Sequence, residues 1–266
     1  MKIGAQLNTI RDFTQTHKDF ASSMKKISKI GFDCVQASGI SSIIPPEEID
    51  ETCKAYGLEV VIAQADPERV RENTKEVIAE HKMMGAKYVS IDMLPKKYER
   101  NKSGFMQFFL DFRQPARAIK DAGLQLLYHN HYFEFERFDG KICLEFIRDN
   151  LTDVNFTLDT YWIQAGGGDP AHWIKKLEGR VNVIHLQDFS VVGGISRMSE
   201  SVLEGNLNWQ RIIGAAEDVE VEYAMIEQDE CYGKDPFECL KTSLYNLRNK
   251  LPDVEFEYMP KLKKRW

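Results

Sequence analysis

The sequence lacks any long apolar run. No stretch of its 266 residues approaches the roughly 18 consecutive apolar residues that a membrane-spanning helix needs. The first residues, MKIGAQLNTIRDF, also contain no apolar segment of the kind that a secretory signal requires. These two absences predict a protein that makes no membrane contact and stays in the cytoplasm.

Cysteine is scarce and unpaired in its spacing. The five cysteines are scattered, odd in number and free of any CxxC pair: Cys34, Cys53, Cys143, Cys231 and Cys239. A disulfide framework and a thiolate zinc site both need closely spaced or even-numbered cysteines. The sequence therefore predicts reduced, buried thiols without a role in metal binding.

An excess of positive charge is also absent. The chain has 41 acidic against 35 basic residues, a net charge of -6 and a pI near 5.6. A surface that binds nucleic acid or anionic lipid is normally basic. We therefore expect neither of these partners, and a small molecule is the better candidate ligand.

What the sequence does contain is a repeated alternation of two kinds of segment. Short runs rich in β-branched and aromatic residues recur between longer helical patterns, which is typical of βα units around a parallel sheet. The predicted strands are Lys2–Gln6, Cys34–Ala37, Glu59–Ala63, Tyr88–Asp92, Gln125–His129, Asn155–Asp159, Asn182–Leu186 and Tyr223–Glu227. Most of them end in a polar residue at the carboxyl end.

The helical segments have recognisable ends. Pro45-Pro46 opens a helix that ends at Gly57, and Asp169-Pro170 opens one that ends at Gly179. Eight βα units predict a (β/α)8 TIM barrel, an α/β fold, as a single domain over residues 1–266. An open doubly wound sheet is disfavoured because no GxGxxG follows the first strand. The basic tail Lys261–Arg265 is expected to be a solvated end.

Charged side chains gather at the ends of the last four predicted strands. In this fold the active site lies at the carboxyl ends of the strands. Here those ends carry His129 and His131, then Asp159, then His185, then Glu227. Two carboxylates and one or two imidazoles suit a divalent ion such as Mn²⁺, Mg²⁺, Co²⁺ or Zn²⁺. The sequence therefore predicts one metal site there.

Other polar residues receive more ordinary interpretations. Asp188 and Asp229 also follow strands, where an aspartate can serve only as a helix N-cap. His17, His81 and His172 lie on helical patterns and are predicted to be exposed to solvent.

Several motifs carry a resemblance to a known family. They are YHNHYFEFE (128–136), LDTYWIQAGGGDP (158–170), GRVNVIHLQD (179–188), LEGNLNW (203–209) and IEQDE (226–230) followed by DPFECLKTSLYNLR (235–248). The chain thereby resembles the xylose isomerase-like TIM barrel superfamily, in particular its sugar phosphate isomerase/epimerase group. In LEGNLNW, Glu204 stands where the family carries the first of two glycines.

The resemblance implies a metal held by Glu, Asp, His and Glu on strands five to eight. Asp159, His185 and Glu227 match the last three positions, whereas His129-Asn130-His131 stands at the first. Either His129 replaces the missing carboxylate as a ligand, or Glu134 reaches back from the following loop.

The resemblance also implies the remaining roles in the site. Family epimerases use the strand-five and strand-eight glutamates as acid and base. In this chain His129, His131 or Glu134 would act with Glu227. Trp162 would stack on a sugar ring, or else pack at the strand end, and Asp188 would contact the substrate.

The implied reaction is proton abstraction beside a carbonyl, with a metal-bound enediolate, by a sugar or keto-sugar isomerase or epimerase. One alternative is a lyase of the same fold, a keto-inositol dehydratase or 3-keto-glycoside eliminase. Another is an accessory subunit with a relic site.

An endonuclease IV-like enzyme is disfavoured by the acidic net charge of the chain and by Trp162, which stands where a further histidine would be expected. A homo-oligomer is the default expectation, with a hetero-oligomer as the alternative.

Overall fold

Eight parallel strands close into a barrel in the computed structural model, which describes residues 1–194 and 196–251. The barrel strands are β1 (Lys2–Gln6), β2 (Cys34–Ala37), β3 (Glu59–Gln64), β4 (Tyr88–Ile91), β5 (Gln125–His129), β6 (Val154–Asp159), β7 (Val181–Leu186) and β8 (Tyr223–Ile226). Each predicted strand is present with bounds shifted by one residue at most. The predicted (β/α)8 fold is confirmed, and the predicted tail at 261–265 lies outside the described residues.

Closure of the barrel brings the first strand beside the last. Lys2 pairs with Tyr223 of β8, and on its other edge β1 places Gly4 opposite Cys34 of β2. A Cβ at Gly4 would lie 2.5 Å from the sulfur of Met225, so only glycine fits at this crowded interior point. An open sheet is thereby excluded.

Alternation along the strands fills the lower part of the barrel and leaves polar side chains at the top. Side chains two residues apart point to the same face of a strand. Tyr88, Leu127, Val183 and Tyr223 belong to a buried apolar cluster inside the barrel. Two or four residues further along each of these strands, the inward-facing position carries a polar residue. The site therefore rests on a packed apolar floor.

Ten α-helices lie in the described part of the chain. They are α1 (His17–Ile30), α2 (Pro46–Ala55), α3 (Pro67–Glu72), α4 (Thr74–Met83), α5 (Lys102–Asp121), α6 (Cys143–Asn150), α7 (Thr160–Ala165), α8 (Pro170–Lys176), α9 (Trp209–Asp218) and α10 (Pro236–Lys250), with 3-10 helices at Leu7–Phe13 and Phe133–Phe135. The predicted starts at Pro46 and Pro170 are confirmed. None of these helices is both long and apolar enough to cross a lipid bilayer.

His81 corrects one prediction. His17 and His172 are exposed as expected, but His81 lies on the inner face of α4 and is only 2% exposed. Its ring nitrogens lie 2.7 Å from the carbonyl of Val77 and 3.2 Å from that of Ala63 in β3. The prediction was wrong because the helical pattern alone does not show which face packs on the barrel.

A long hairpin follows β7. Its strands, Asp188–Val192 and Ser196–Glu200, pair antiparallel, and they project from the carboxyl face of the barrel. We call this pair of strands the β7 hairpin. A smaller hairpin, Arg137–Phe138 with Lys141–Ile142, follows β5.

Candidate metal centre and substrate cavity

Four buried side chains from consecutive barrel strands converge at the carboxyl face. His129, Asp159, His185 and Glu227 each offer one ligand atom, and these atoms lie within 4.8 Å of one another. The first three are the inward residues at the ends of β5, β6 and β7, and Glu227 directly follows β8. The sequence singled out all four, and the fold brings them into one group.

The distances within the group are short. Nε2 of His129 lies 3.5 Å from Oδ2 of Asp159, and Nδ1 of His185 lies 2.8 Å from Oε2 of Glu227. Nδ1 of His185 is also 3.8 Å from the same oxygen of Asp159. Two imidazole nitrogens and two carboxylate oxygens therefore face one point.

Hydrogen bonds behind the two imidazoles orient them toward that point. Nδ1 of His129 lies 3.1 Å from the carbonyl oxygen of Asp92, and Nε2 of His185 lies 2.8 Å from Oε1 of Gln36. Each of these nitrogens donates its proton outward, which leaves the other nitrogen with a free lone pair. These other two nitrogens are buried and make no hydrogen bond of acceptable geometry to the described residues. Such a donor set fits a divalent cation.

The two carboxylates are also held in place. Oδ1 of Asp159 accepts a 2.8 Å bond from the backbone N–H of Trp162, which caps α7, and Oδ2 accepts one from Nε2 of Gln187 at 2.9 Å. Oε1 of Glu227 accepts a bond from Nδ2 of Asn8 at 3.3 Å. Asp159 therefore combines the two interpretations of a strand-end aspartate, because it caps a helix and faces the cluster.

Burial makes negative charge costly in this cluster. It raises the pKa of Glu227 to about 7, and burial together with the charge of Glu227 raises the pKa of Asp229 to about 8. Burial opposes the charged form of His129, but in the metal-free protein the nearby carboxylates of Asp159 and Asp92 raise its pKa well above the usual range. A cation among these carboxylates would relieve the same cost.

Glu134 lies apart from the four-residue group. It is fully buried, and its carboxylate accepts hydrogen bonds from the hydroxyl of Tyr128 at 2.5 Å and from the backbone N–H of His131 at 2.8 Å. Burial raises its pKa to about 7. Of the two strand-five alternatives, the structure places His129, not Glu134, beside the other three residues.

A small cavity opens above the group. Its volume is about 100 Å³, and the predicted residues His131 and Trp162 both line it. The ring of His131 stacks on Phe133 and lies 5.1 Å from the ring of Trp162, centroid to centroid. Nδ1 of His131 is buried and has no hydrogen-bond partner among the described residues. Both side chains are thus placed where a substrate would lie.

Asp188 is turned away from the cavity. Its carboxylate accepts hydrogen bonds from the backbone N–H groups of Phe189, Leu203, Gly205 and Leu207, and from the indole of Trp209 at 2.6 Å. This carboxylate holds the LEGNLNW loop against the β7 hairpin. A Cβ on Gly205 would meet it at 2.2 Å, so the glycine in that motif is required by the close approach.

Three polar residues of the site were missed at the sequence level. Asp92 groups with His129 and His131, Gln36 orients His185, and Asn8 contacts Glu227. Asp229, interpreted as a helix cap, caps no described helix and lines the cavity instead, while Asp235 caps α10. A signal for Asp92 was present, because this carboxylate ends the apolar run of the fourth predicted strand.

Comparison with protein families identifies the family of this barrel. The sequence matches the family described as xylose isomerase-like TIM barrel over residues 24–242, so the chain belongs to that family. The predicted resemblance is confirmed. A comparison with curated protein sequences gives no match.

Solved structures of the same fold are similar to the chain over most of its length. A sugar phosphate isomerase/epimerase from Parabacteroides distasonis has a TM-score of 0.79 and 20% identity, and the alignment covers 93% of each chain. An L-ribulose 3-epimerase has a TM-score of 0.72 and 15% identity, over 94% of this chain and 95% of that one. The probable 3-DHS dehydratase involved in petrobactin synthesis from Bacillus anthracis gives 0.70 and 14%, over 94% and 100%. At these identities the likeness supports the fold.

Proposed function

We propose that the protein is a divalent-metal-dependent isomerase or epimerase that acts on a sugar or keto-sugar. The observation that carries the proposal is the complete group of two imidazoles and two carboxylates, with its free nitrogens aimed at one point. Its completeness favours an enzyme over an accessory subunit with a relic site. Neighbours of this fold that are described as isomerases or epimerases support the same class.

Four residues would hold the ion: His129, Asp159, His185 and Glu227. Two imidazole donors favour Zn²⁺ or Co²⁺, whereas a carboxylate-rich site favours Mg²⁺ or Mn²⁺. When bound, the ion would supply a Lewis acid for the oxygens of a carbonyl compound.

His131 is our candidate for the base. Burial, with the charge of neighbouring His129, lowers the pKa of His131 to about 3 in the metal-free protein, so its imidazole is neutral near pH 7. Its unpartnered Nδ1 and its place in the cavity wall support this role. Glu134 would act as a positioning residue, because it holds the backbone N–H of His131.

Asp229 is our candidate for the acid. It lines the cavity from the β8 side, and burial with the charge of Glu227 raises its pKa to about 8 in the metal-free protein, which favours the protonated carboxyl at neutral pH. A protonated carboxyl can return a proton to the substrate carbon or oxygen. Trp162 would cover one face of the sugar with its apolar ring.

A lyase remains the second candidate function. The strand-five sequence His129-Asn130-His131 departs from the family pattern, and a dehydratase is among the solved structures of this fold. In a lyase, Asp229 would protonate the departing oxygen.

Incubation of the metal-loaded protein with a panel of keto-sugars in D₂O tests the proposal. We expect deuterium at one substrate carbon without loss of a substituent, detected by NMR and mass spectrometry. Release of water or of an aglycone would instead support the lyase. The variant His131→Asn should slow deuterium incorporation by about 100-fold or more, whereas the control His172→Asn, on an exposed histidine of α8, should not.

The geometry of this site does not bear on the oligomeric state or on the location in the cell. The homo-oligomer, as a dimer or tetramer, and the cytoplasmic location stay predictions.

A further inference from the structure

A long groove runs over the ends of β2, β3 and β4. It adjoins the small cavity above His129, Asp159, His185 and Glu227, and we call this cavity the metal cavity and these four residues the metal group. The volume of the groove is about 1290 Å³, against about 100 Å³ for the cavity. Asn8, Gln64 and Asp92 line both, so the two spaces lie side by side. A molecule bound with one end at the metal group can therefore extend into the groove.

The buried floor of the groove is aliphatic. Buried residues that line it include Ala37, Ile44, Ile49, Ala63, Ala65 and Leu94. Serine hydroxyls and the amides of Asn8 and Gln64 add uncharged polar groups. A floor of this kind gains free energy by covering apolar surface of a ligand.

The charged residues of the groove are largely paired with one another. Both guanidinium NH₂ groups of Arg69 donate to Glu80, at 3.0 and 2.7 Å. Lys97 contacts Glu68 at 3.4 Å and Asp111 at 3.7 Å, while Lys96 is exposed at the rim. Away from Lys96 at the rim, an anionic ligand would have to displace these pairs, so the inner part of the groove favours a neutral one.

The opposite side of the cavity differs in kind. His131 and Trp162, on the β5 and β6 side, present rings to the cavity, and Tyr132 packs behind Trp162. None of the described residues that line the groove is aromatic. The opening of the cavity therefore has aromatic and imidazole rings on the side of His131 and Trp162, and an aliphatic surface on the side of the groove.

We propose that the substrate is a sugar that carries a neutral, largely apolar substituent, with the sugar end at the metal cavity and the substituent in the groove. The cavity alone holds little more than the reacting part of a sugar. The groove exceeds the roughly 300–1,000 Å³ of ordinary ligand pockets. A keto-sugar glycoside with an aromatic or aliphatic aglycone has this division, and its ring carbonyl is the group that the proposed reaction needs; simple glycosides share the shape and serve as binding probes. The inference rests on the proposed function, which places the sugar end at the metal group.

Paired glycosides test the inference by binding alone. The probes are methyl and 4-nitrophenyl glycosides of the same hexoses, titrated by calorimetry and by saturation-transfer NMR. The wild-type protein should bind at least one 4-nitrophenyl glycoside about tenfold or more tightly than its methyl counterpart, the effect of burying one apolar ring. Saturation should transfer to the aryl protons. Equal affinities, no aryl binding, or tighter binding of a sugar phosphate would each overturn the inference.

Filling the groove gives the matched variants. Ser41→Trp and the more exposed Ser42→Trp place a ring in the groove, whereas the control Ser22→Trp adds the same ring on the exposed face of α1. Either groove variant should abolish the aryl preference, and the control should keep it. A preference that persists in both groove variants would show that the aglycone binds elsewhere.

Failure of the inference can be told from failure of the proposed function. Metal content and deuterium exchange into a free keto-sugar do not require the groove, so both should survive in Ser41→Trp. Normal exchange without any aryl preference would overturn only the inference. An aryl preference in a protein that binds no metal would overturn only the proposed function.

Discussion

The two halves of the barrel rim carry different chemistry at equivalent positions. The last inward residues of β1 to β4, or the residue directly after the strand, are Gln6, Gln36, Gln64 and Asp92, and those of β5 to β8 are His129, Asp159, His185 and Glu227. One half is mainly carboxamide, and the other can bind a metal. Because the backbone places both sets alike, only side-chain identity separates them.

Residues of the carboxamide half orient the imidazoles of the metal group. Oε1 of Gln36 accepts a hydrogen bond from His185, and the backbone carbonyl of Asp92 accepts one from His129. Gln64 is exposed and borders the groove. On the proposed function, β5 to β8 would hold the ion, while β1 to β4 would orient its ligands and receive the rest of the substrate.

Loss of a proposed metal ligand from β5 to β8, the charged half of the rim, should have the largest effect on metal content and activity. Asp159→Asn keeps a good N-cap for α7 but removes a charge from the cluster. We expect loss of stoichiometric metal, measured by elemental analysis, and an activity loss beyond the roughly 10–100-fold typical of an outer partner. Asp169→Asn, a matched cap of α8, should retain the metal. Full metal content in Asp159→Asn would show that this carboxylate of the charged half is not needed to hold the ion.

Removal of an orienting residue from the carboxamide half should cost less. Gln36→Leu leaves Nε2 of His185 without its acceptor, and metal affinity should fall about 10–100-fold. Gln64→Leu, near the end of β3, should leave metal affinity unchanged. Similar losses in the two variants would show that the orienting bond to His185 is unimportant.

Acid should weaken metal binding around neutrality. The raised pKa of Glu227, about 7, means that its carboxyl binds a proton below pH 7 in the metal-free protein, and the ion must displace it. Affinity should fall up to about tenfold per pH unit per displaced proton below pH 7, where Glu227 and His129 both carry a proton, and should depend less steeply on pH above 7, where the His129 proton is the one left to displace. Calorimetry in buffers of different ionisation enthalpy measures the released proton. An affinity that is constant from pH 8 to pH 6 would contradict this assignment.

Restoring the family residue at strand five should mainly alter selectivity. His129→Glu makes the donor set three carboxylates and one imidazole. We expect the ratio of Zn²⁺ to Mn²⁺ affinity to fall, because carboxylate donors suit Mn²⁺ better. Competition titrations with the two ions measure that ratio. An unchanged ratio would indicate that His129 is not a ligand.

The sequence allowed much of the charged half to be predicted. Apolar runs that end in Asp, His and Glu have a simple meaning in a barrel, because closure directs strand ends toward one axis. The orienting residues were harder to find. Gln36 has no charge and precedes Ala37 within its strand, so nothing local distinguishes it from a packing residue.

Other residues depended on tertiary contacts that no local pattern encodes. Asp188 looked like a cap or a substrate contact, but its five donors come largely from a loop some 15 to 21 residues further along the chain. Asp229 acquires its raised pKa from burial and from Glu227. These properties arise from packing between elements, which periodicity does not report.

On the proposed function, the two contacts of Asp159 would make the choice of sugar depend on the radius of the bound ion. One oxygen holds the first turn of α7, and the other faces the metal group, while Trp162 sits on that same turn. A larger ion that displaces the carboxylate should also displace the indole that borders the sugar. The sugars that this protein prefers should therefore change with the ion it acquires during growth.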